Sequence, residues 1–261
     1  MQAFAYQTAA SVAAAAAAMN DDAKLIAGGQ SLLPSMRLGL AAPGTLIDLG
    51  GVAELKGISV SGNTVKIGAM TTHAAVAAHA DVKRLIPALA DLAGNIGDRQ
   101  VRNRGTLGGS LANNDPAACY PAAVLGLGAT VHTSKRDIAA DDFFQGLYMT
   151  ALEDGEIITA VSFPVPQAAG WQKFKQPASR FSLVGVFVSK GAGGVRVAVT
   201  GAGSGGVFRV KAIEDALAVS WTAAAAQAVK VSADGLNSDL HGSAEYRAAL
   251  IPVLAGRAVG G

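Results

Sequence analysis

The stretch that decides the reading is Asp98-Arg-Gln-Val-Arg-Asn-Arg-Gly-Thr-Leu-Gly-Gly-Ser-Leu-Ala-Asn-Asn-Asp-Pro-Ala-Ala-Cys-Tyr-Pro121. Its apolar residues keep neither a helical nor a strand period, which predicts an irregular ligand loop. Arg99, Arg102 and Arg104 precede a turn at Thr106-Leu-Gly-Gly-Ser110, and Asn113, Asn114 and Asp115 follow it. Paired glycines let backbone N–H groups approach a ligand with no Cβ in the way. Successive N–H groups in such a turn form an anion-binding concavity, and nearby arginines strengthen its field. A lone Gly-Gly reads as a surface loop. A second copy changes the balance: Ala27-Gly28-Gly29-Gln30-Ser31 follows the short apolar run Leu25-Ile26-Ala27. Two such turns suit a diphosphate approached by backbone from two sides.

These turns, with the run from Arg102 to Pro121, resemble the FAD-binding (medium) subunit of the molybdenum hydroxylases, most of all that of the carbon-monoxide-dehydrogenase type. The likeness continues through Asp142-Phe-Phe-Gln-Gly146, Leu152-Glu-Asp-Gly-Glu-Ile-Ile-Thr159 and Phe174-Lys-Gln-Pro-Ala-Ser-Arg180, so it covers nearly the whole chain. It implies an α+β protein with the vanillyl-alcohol-oxidase-type FAD-binding fold. Two N-terminal α/β subdomains (1–56 and 57–166) would clasp the cofactor, with a C-terminal α+β domain (167–261) behind them. It also implies that Ala27, Gly28, Gly29, Gln30 and Ser31, with Thr106, Gly108, Gly109 and Ser110, contact FAD, chiefly its diphosphate. Lys24 stands where related enzymes also approach the cofactor, and Asn113 is placed to hydrogen-bond diphosphate or ribityl oxygens. Ile158 corresponds to an aliphatic residue laid against the flavin. Lys175 matches a lysine near its pyrimidine part, where a cation favours the anionic reduced form. Cys119 departs from the pattern, because related sequences commonly carry aspartate there and cysteine is a poor acceptor. The bland readings are an exposed lysine at 24, a turn-capping Asn113, a packed thiol at 119, a core isoleucine at 158 and a solvated strand end from Lys175 to Phe181.

Composition narrows the classes. A chain of 261 residues with 51% hydrophobic and 15% charged residues is globular, not disordered. Its apolar runs are alanine-rich, and none approaches the ~20 residues of a membrane span. The run from Ala13 to Ala18 has no basic segment before it and is followed by Asp21 and Asp22, unlike a secretory signal. With a net charge of +2, nothing calls for nucleic acid. One cysteine and four scattered histidines supply no ligand set for an iron–sulfur cluster or another metal.

Along the chain, Ser11 caps an alanine-rich helix to about Met19, and strands are expected over residues 24–27 and 45–49. A hairpin turns at Ser61-Gly62-Asn63, Thr72 caps a short helix, and one helix is expected from Val82 to Gly94. Further expectations are a short helix from Tyr120, strands over 129–133 and 156–163, and a boundary at Pro164 and Pro166. Beyond it come strands over 171–175, 183–189 and 195–200, then three helices, with Pro252 kinking or breaking the last. Gly201-Ala-Gly-Ser-Gly-Gly206 matches Gly-x-Gly-x-x-Gly, but β-favouring Val207-Phe-Arg-Val210 follows where a Rossmann site needs a helix.

The expected function is therefore that of an electron-transfer subunit, with no catalytic residue and no metal site of its own. It would carry FAD, take electrons from 2Fe-2S clusters on a small partner subunit and pass them to an external acceptor. A large molybdopterin subunit would process the substrate, in a cytoplasmic complex expected to be a dimer of heterotrimers. The alternatives are a self-contained flavin oxidoreductase of the same fold, or a non-redox nucleotide-binding scaffold.

Overall fold

A computed structural model describes residues 2–177 and 179–260. Ala178, inside the stretch from Phe174 to Arg180, lies outside the described residues.

The chain opens with β1 (Ala5–Thr8), α1 (Val12–Ala17), β2 (Ala23–Ile26), α2 (Leu32–Arg37) and β3 (Thr45–Asp48). Ser11 caps α1 as expected, its Oγ accepting from the Ala14 N–H at 3.0 Å. The three strands form a parallel sheet of order β1-β3-β2. The loop Ala27–Ser31 leaves the C-terminal end of β2, where open parallel sheets hold their ligands.

A five-stranded antiparallel sheet follows, ordered β4-β5-β10-β6-β7. It is built from β4 (Ile58–Ser61), β5 (Thr64–Gly68), β6 (Thr130–Thr133), β7 (Asp137–Ala139) and β10 (Ile158–Pro164). Between β5 and β6 run six helices: α3 (His73–Ala78), α4 (Ala80–Leu85), α5 (Pro87–Gly94), α6 (Arg99–Arg104), α7 (Leu107–Asn113) and α8 (Tyr120–Leu127). A short α9 (Ala140–Phe143) and the small hairpin β8 (Phe144–Gly146) and β9 (Met149–Thr150) lead into β10.

Two expectations fail here. The single helix from Val82 to Gly94 is two helices, broken at Ile86 because Pro87 starts α5 and forces the preceding residue out of the α region. The irregular loop from Asp98 is largely helical, as α6 and α7. Asp98 caps the first through the Val101 N–H at 2.8 Å, and Thr106 caps the second through the Gly109 N–H at 3.2 Å. Each is too short to show a period, so polar caps and not apolar spacing define them.

The C-terminal unit is an antiparallel sheet, β11 (Ala168–Lys175), β12 (Ser182–Gly191), β13 (Gly194–Thr200) and β14 (Phe208–Arg209), with α10 (Lys211–Val219), α11 (Ala223–Gln227) and α12 (Ala244–Val259). Pro252 lies inside α12, which continues to Val259. The sheet is covered on both faces. Val184, Val186 and Val188 join the core beneath α12, while Phe187 joins the core around α5 and α8. Alternate side chains of β12 thus enter two different cores, as a period of two requires. The chain is α+β, with no helix among the described residues long and apolar enough to cross a membrane.

Candidate functional site

The three sheets meet around a cleft of about 990 Å³. Its wall takes Lys24, Ala27, Gly28, Gly29, Gln30 and Ser31 from the end of β2, and Thr106, Gly108, Gly109, Ser110 and Asn113 from α7 and its cap. Cys119 before α8 and Ile158 at the start of β10 complete the residues expected there. Lys175 is not on the wall; Lys173 is. Both have the parity of Trp171, but the β11–β12 register shifts between Phe174 and Lys175, and Lys175 ends exposed. Arg99, Arg102 and Arg104 are also off the wall, whereas Arg180 and Phe181 are on it. Arg102 is turned to backbone, its Nη1 donating to the carbonyls of Ile96 at 3.1 Å and Gly97 at 3.2 Å.

The two glycine pairs do different work. In the first loop, the N–H groups of Gly28, Gly29, Gln30 and Ser31 meet no acceptor among the described residues. Gly29 has φ +72°, a conformation that side chains disfavour, and this turns consecutive N–H groups along one surface. The second pair is not a donor turn, contrary to the sequence expectation. Leu107 N–H donates to Thr71 O at 3.1 Å, Gly108 N–H to Ala69 O at 2.8 Å and Ser110 N–H to Thr106 O at 3.1 Å. With Gly109 on the Thr106 hydroxyl, this backbone is already satisfied. Its glycines serve packing: a Cβ on Gly108 would lie 2.6 Å from Ala69 Cβ, and one on Gly109 3.4 Å from Ala27 Cβ; across the same contact, a Cβ on Gly28 of the first pair would lie 2.2 Å from Arg104 O. Small residues let the β2 loop press against the backbone entering α7, closing the cleft on one side.

Deeper in, Cys119 is buried, with Sγ 3.3 Å from Lys173 Nζ and 3.7 Å from Ser182 Oγ. Lys173 Nζ also donates to Asn95 O at 3.0 Å. No carboxylate pairs with Lys173 among the described residues, so it brings an uncompensated positive charge to the wall. Glu156, whose side chain is fully buried, belongs to a structural network. Burial would raise its pKa, but the Thr133 hydroxyl, the Glu153 N–H and Arg136 hold it below the usual carboxylate value. Asn114 is also structural. At φ +42° it caps α7, and its Nδ2 holds Gly146 O and Met149 O, each at 2.8 Å.

Composition alone could not have singled out Lys173 and His73. Lys173 needs the β11 register. His73 needs the contact between α3 and Gly105, where its backbone N–H donates to Gly105 O at 3.0 Å.

Outside the cleft, His132 lies 2.6 Å from Asp137 Oδ1 and 2.7 Å from Ser162 Oγ. These are the distances of a hydrolytic triad, but Ser162, where the nucleophile would stand, lies on β10, whose backbone is paired with β5 on one side and β6 on the other. An oxyanion hole needs free donors beside the nucleophile, so the array reads as a cross-strand brace. The Gly201–Gly206 loop passes to β14 before any helix, so it lacks the context of a dinucleotide fingerprint. No group of three or more His, Cys, Asp or Glu side chains among the described residues is arranged to hold a metal.

A loop of free N–H donors, a cation without a carboxylate and a long cleft between sheets fit an elongated ligand carrying phosphates. Comparison with known proteins agrees. The family described as the FAD binding domain in molybdopterin dehydrogenase matches residues 2–166. The medium subunit of nicotine 6-hydroxylase from Paenarthrobacter nicotinovorans is 40% identical over 254 residues, covering 92% of this chain and 89% of that protein. The carbon monoxide dehydrogenase medium chain of Hydrogenophaga pseudoflava is 35% identical over 258 residues, with the same coverage. A solved structure of carbon monoxide dehydrogenase from that organism superposes with a TM-score of 0.86 at 34% identity, covering 99% of this chain and 96% of that one. Quinoline 2-oxidoreductase from Pseudomonas putida 86 gives a TM-score of 0.86 at 32% identity, again over 99% and 96%.

Proposed function

The chain belongs to the FAD-binding family of the molybdopterin dehydrogenases and is a flavoprotein subunit of a molybdenum-hydroxylase-type oxidoreductase, and from this we propose that it is the electron-relay subunit of such an enzyme. In this reading it takes electrons from 2Fe-2S clusters on a small partner subunit and passes them to an external acceptor. A large molybdopterin subunit does the substrate chemistry, the assembly is a dimer of heterotrimers, and it works in the cytoplasm. The division into 1–56 and 57–166 around the cofactor, with 167–261 behind, is part of the same proposal.

The observation that carries it is the row of unused N–H donors from Gly28 to Ser31, held against the backbone that enters α7. These donors would hold the diphosphate, with Ser110 and Asn113 lining the same side of the cleft. Lys24, Cys119 and Ile158 line it further along, and Lys173 takes the part the sequence assigned to Lys175. FAD, when bound, supplies one- and two-electron redox chemistry. The chain's own residues bind and orient it, exclude water along the apolar side formed by Leu152, Ile157 and Ile158, and place a positive charge beside it.

The test is to purify the chain alone and the native complex. The chain alone is expected to bind one FAD that bleaches with a chemical reductant, yet to turn over no substrate. The complex is expected to carry molybdenum and iron, and its substrate is expected to bleach the flavin. Turnover by the isolated chain would make it a self-contained flavoenzyme; absence of flavin binding would leave a non-redox scaffold.

A further inference from the structure

We propose that His73 is a binding residue for the flavin nucleotide, its neutral imidazole donating the Nε2–H hydrogen bond to an oxygen of the ligand in the cleft. This rests on the FAD reading above and adds a residue to it. His73 opens α3 and is only 4% exposed, yet it lines the cleft, and among its ring nitrogens Nδ1, not Nε2, is the one sealed from solvent without a partner among the described residues. Its position is fixed from two sides. The backbone N–H donates to Gly105 O at 3.0 Å, and the ring lies 5.3 Å from that of Tyr120, tilted by 51°. Gly105 leaves room for it, since a Cβ there would stand 2.5 Å from Nε2.

Burial, helped by the charge of Arg102, lowers the His73 pKa to about 4, so the ring is neutral near pH 7 and carries one proton. Nδ1 is buried with no partner among the described residues. A buried N–H with no acceptor is the rarer and costlier defect, whereas a bare ring nitrogen hides only a lone pair. The proton therefore belongs on Nε2, which makes the ring a fixed donor. The phosphate, ribityl and ring-carbonyl oxygens of a flavin nucleotide all accept. A buried polar ring with no protein partner among the described residues, on the lining of the cleft, is thereby explained.

The full-length chain, freed of flavin, is titrated with FAD as the wild type, His73→Gln and His73→Leu. The glutamine amide nitrogen stands near the place of Nε2 and keeps a donor; leucine keeps the bulk and loses it. The glutamine variant is expected within about 3-fold of the wild-type Kd, and the leucine variant about 10-fold weaker, the scale of one hydrogen bond. Nitrogen-15 NMR of the wild-type ring, independent of any variant, is expected to show Nε2 protonated and Nδ1 bare at pH 7. Wild-type affinity in His73→Leu, equal loss in both variants, or a proton on Nδ1 would each overturn the proposal. A wild-type chain that binds no FAD would instead overturn the functional reading on which it rests.

Discussion

One methyl group added at Gly28 would meet the peptide of Arg104 and Gly105, with its Cβ 2.2 Å from Arg104 O. Backbone on both sides gives it nowhere to go. Gly28→Ala is expected to destabilise the chain by about 1–3 kcal/mol and to weaken FAD binding, measured by melting and titration. Gly193→Ala, where nothing lies within 4 Å of the added Cβ, is expected to change neither. Lys173 and Lys175 make a second contrast at this scale. A charged hydrogen bond of about 1.5–3 kcal/mol, given preferentially to the reduced cofactor, corresponds to about 30–60 mV in a two-electron couple. Lys173→Met is therefore expected to lower the flavin midpoint potential by that order, while Lys175→Met leaves it unchanged in the same redox titration. Cys119→Asp would place a carboxylate next to Lys173 Nζ, now 3.3 Å from Sγ. FAD affinity is expected to hold or rise through the added acceptor, and a clear loss of flavin would show that the ligand needs the charge of Lys173 uncompensated.

At the scale of elements, α7 depends on its cap. Thr106 is buried, accepts the Gly109 N–H at 3.2 Å and forms an isolated bridge with Thr72. Thr106→Val removes the acceptor at constant shape and is expected to lower stability by about 1 kcal/mol, read from urea midpoints, with Thr106→Ser restoring most of it. What was legible in the sequence at this scale followed from local chemistry. The Ser11 cap, the Ser61-Gly62-Asn63 hairpin and the strand that runs into Ala27-Gly28-Gly29 are each written in a few adjacent residues. The elements around the site that were missed depend on distant partners. Nothing near Gly108 in the sequence announces that its N–H is taken by Ala69, or that the Gly28 backbone lies on Arg104. Nor does anything near Lys175 announce the register shift after Phe174 that separates it from Lys173, the lysine on the cleft wall.

Over the whole molecule, the C-terminal unit is tied together by charge. Arg247, only 1% exposed, donates to Leu183 O at 2.8 Å and Gly201 O at 3.0 Å and grips both oxygens of Asp239 at 2.8 Å. Burial pushes the Asp239 carboxyl up, but the His241 and Gly242 N–H groups and Arg247 bring it below its usual value. A depressed carboxylate stabilises the fold above its unfolded pKa of about 4, and that contribution is lost as the pH falls through the folded value. Thermal melts are thus expected to fall in acid more steeply for the wild type than for Asp239→Asn. Arg247→Met, which leaves two buried carbonyls without their donor while the released carboxylate is partly in solvent, is expected to cost about 1–3 kcal/mol at pH 7.

The double-sided β12 strand has a consequence for how the gene can be cut. The family match ends at residue 166, which invites expression of the flavin half by itself. Yet Trp171, Phe187 and Ala198 belong to the same core as Leu89, Tyr120 and Leu125. A fragment stopping at Pro166 would bare the face of α5 and α8 that the missing sheet now shields, a contiguous greasy surface of the kind that drives self-association. Such a fragment is expected to bind a hydrophobic dye and elute as aggregates, whereas the intact chain does neither. The boundary along the sequence is not a seam in the fold.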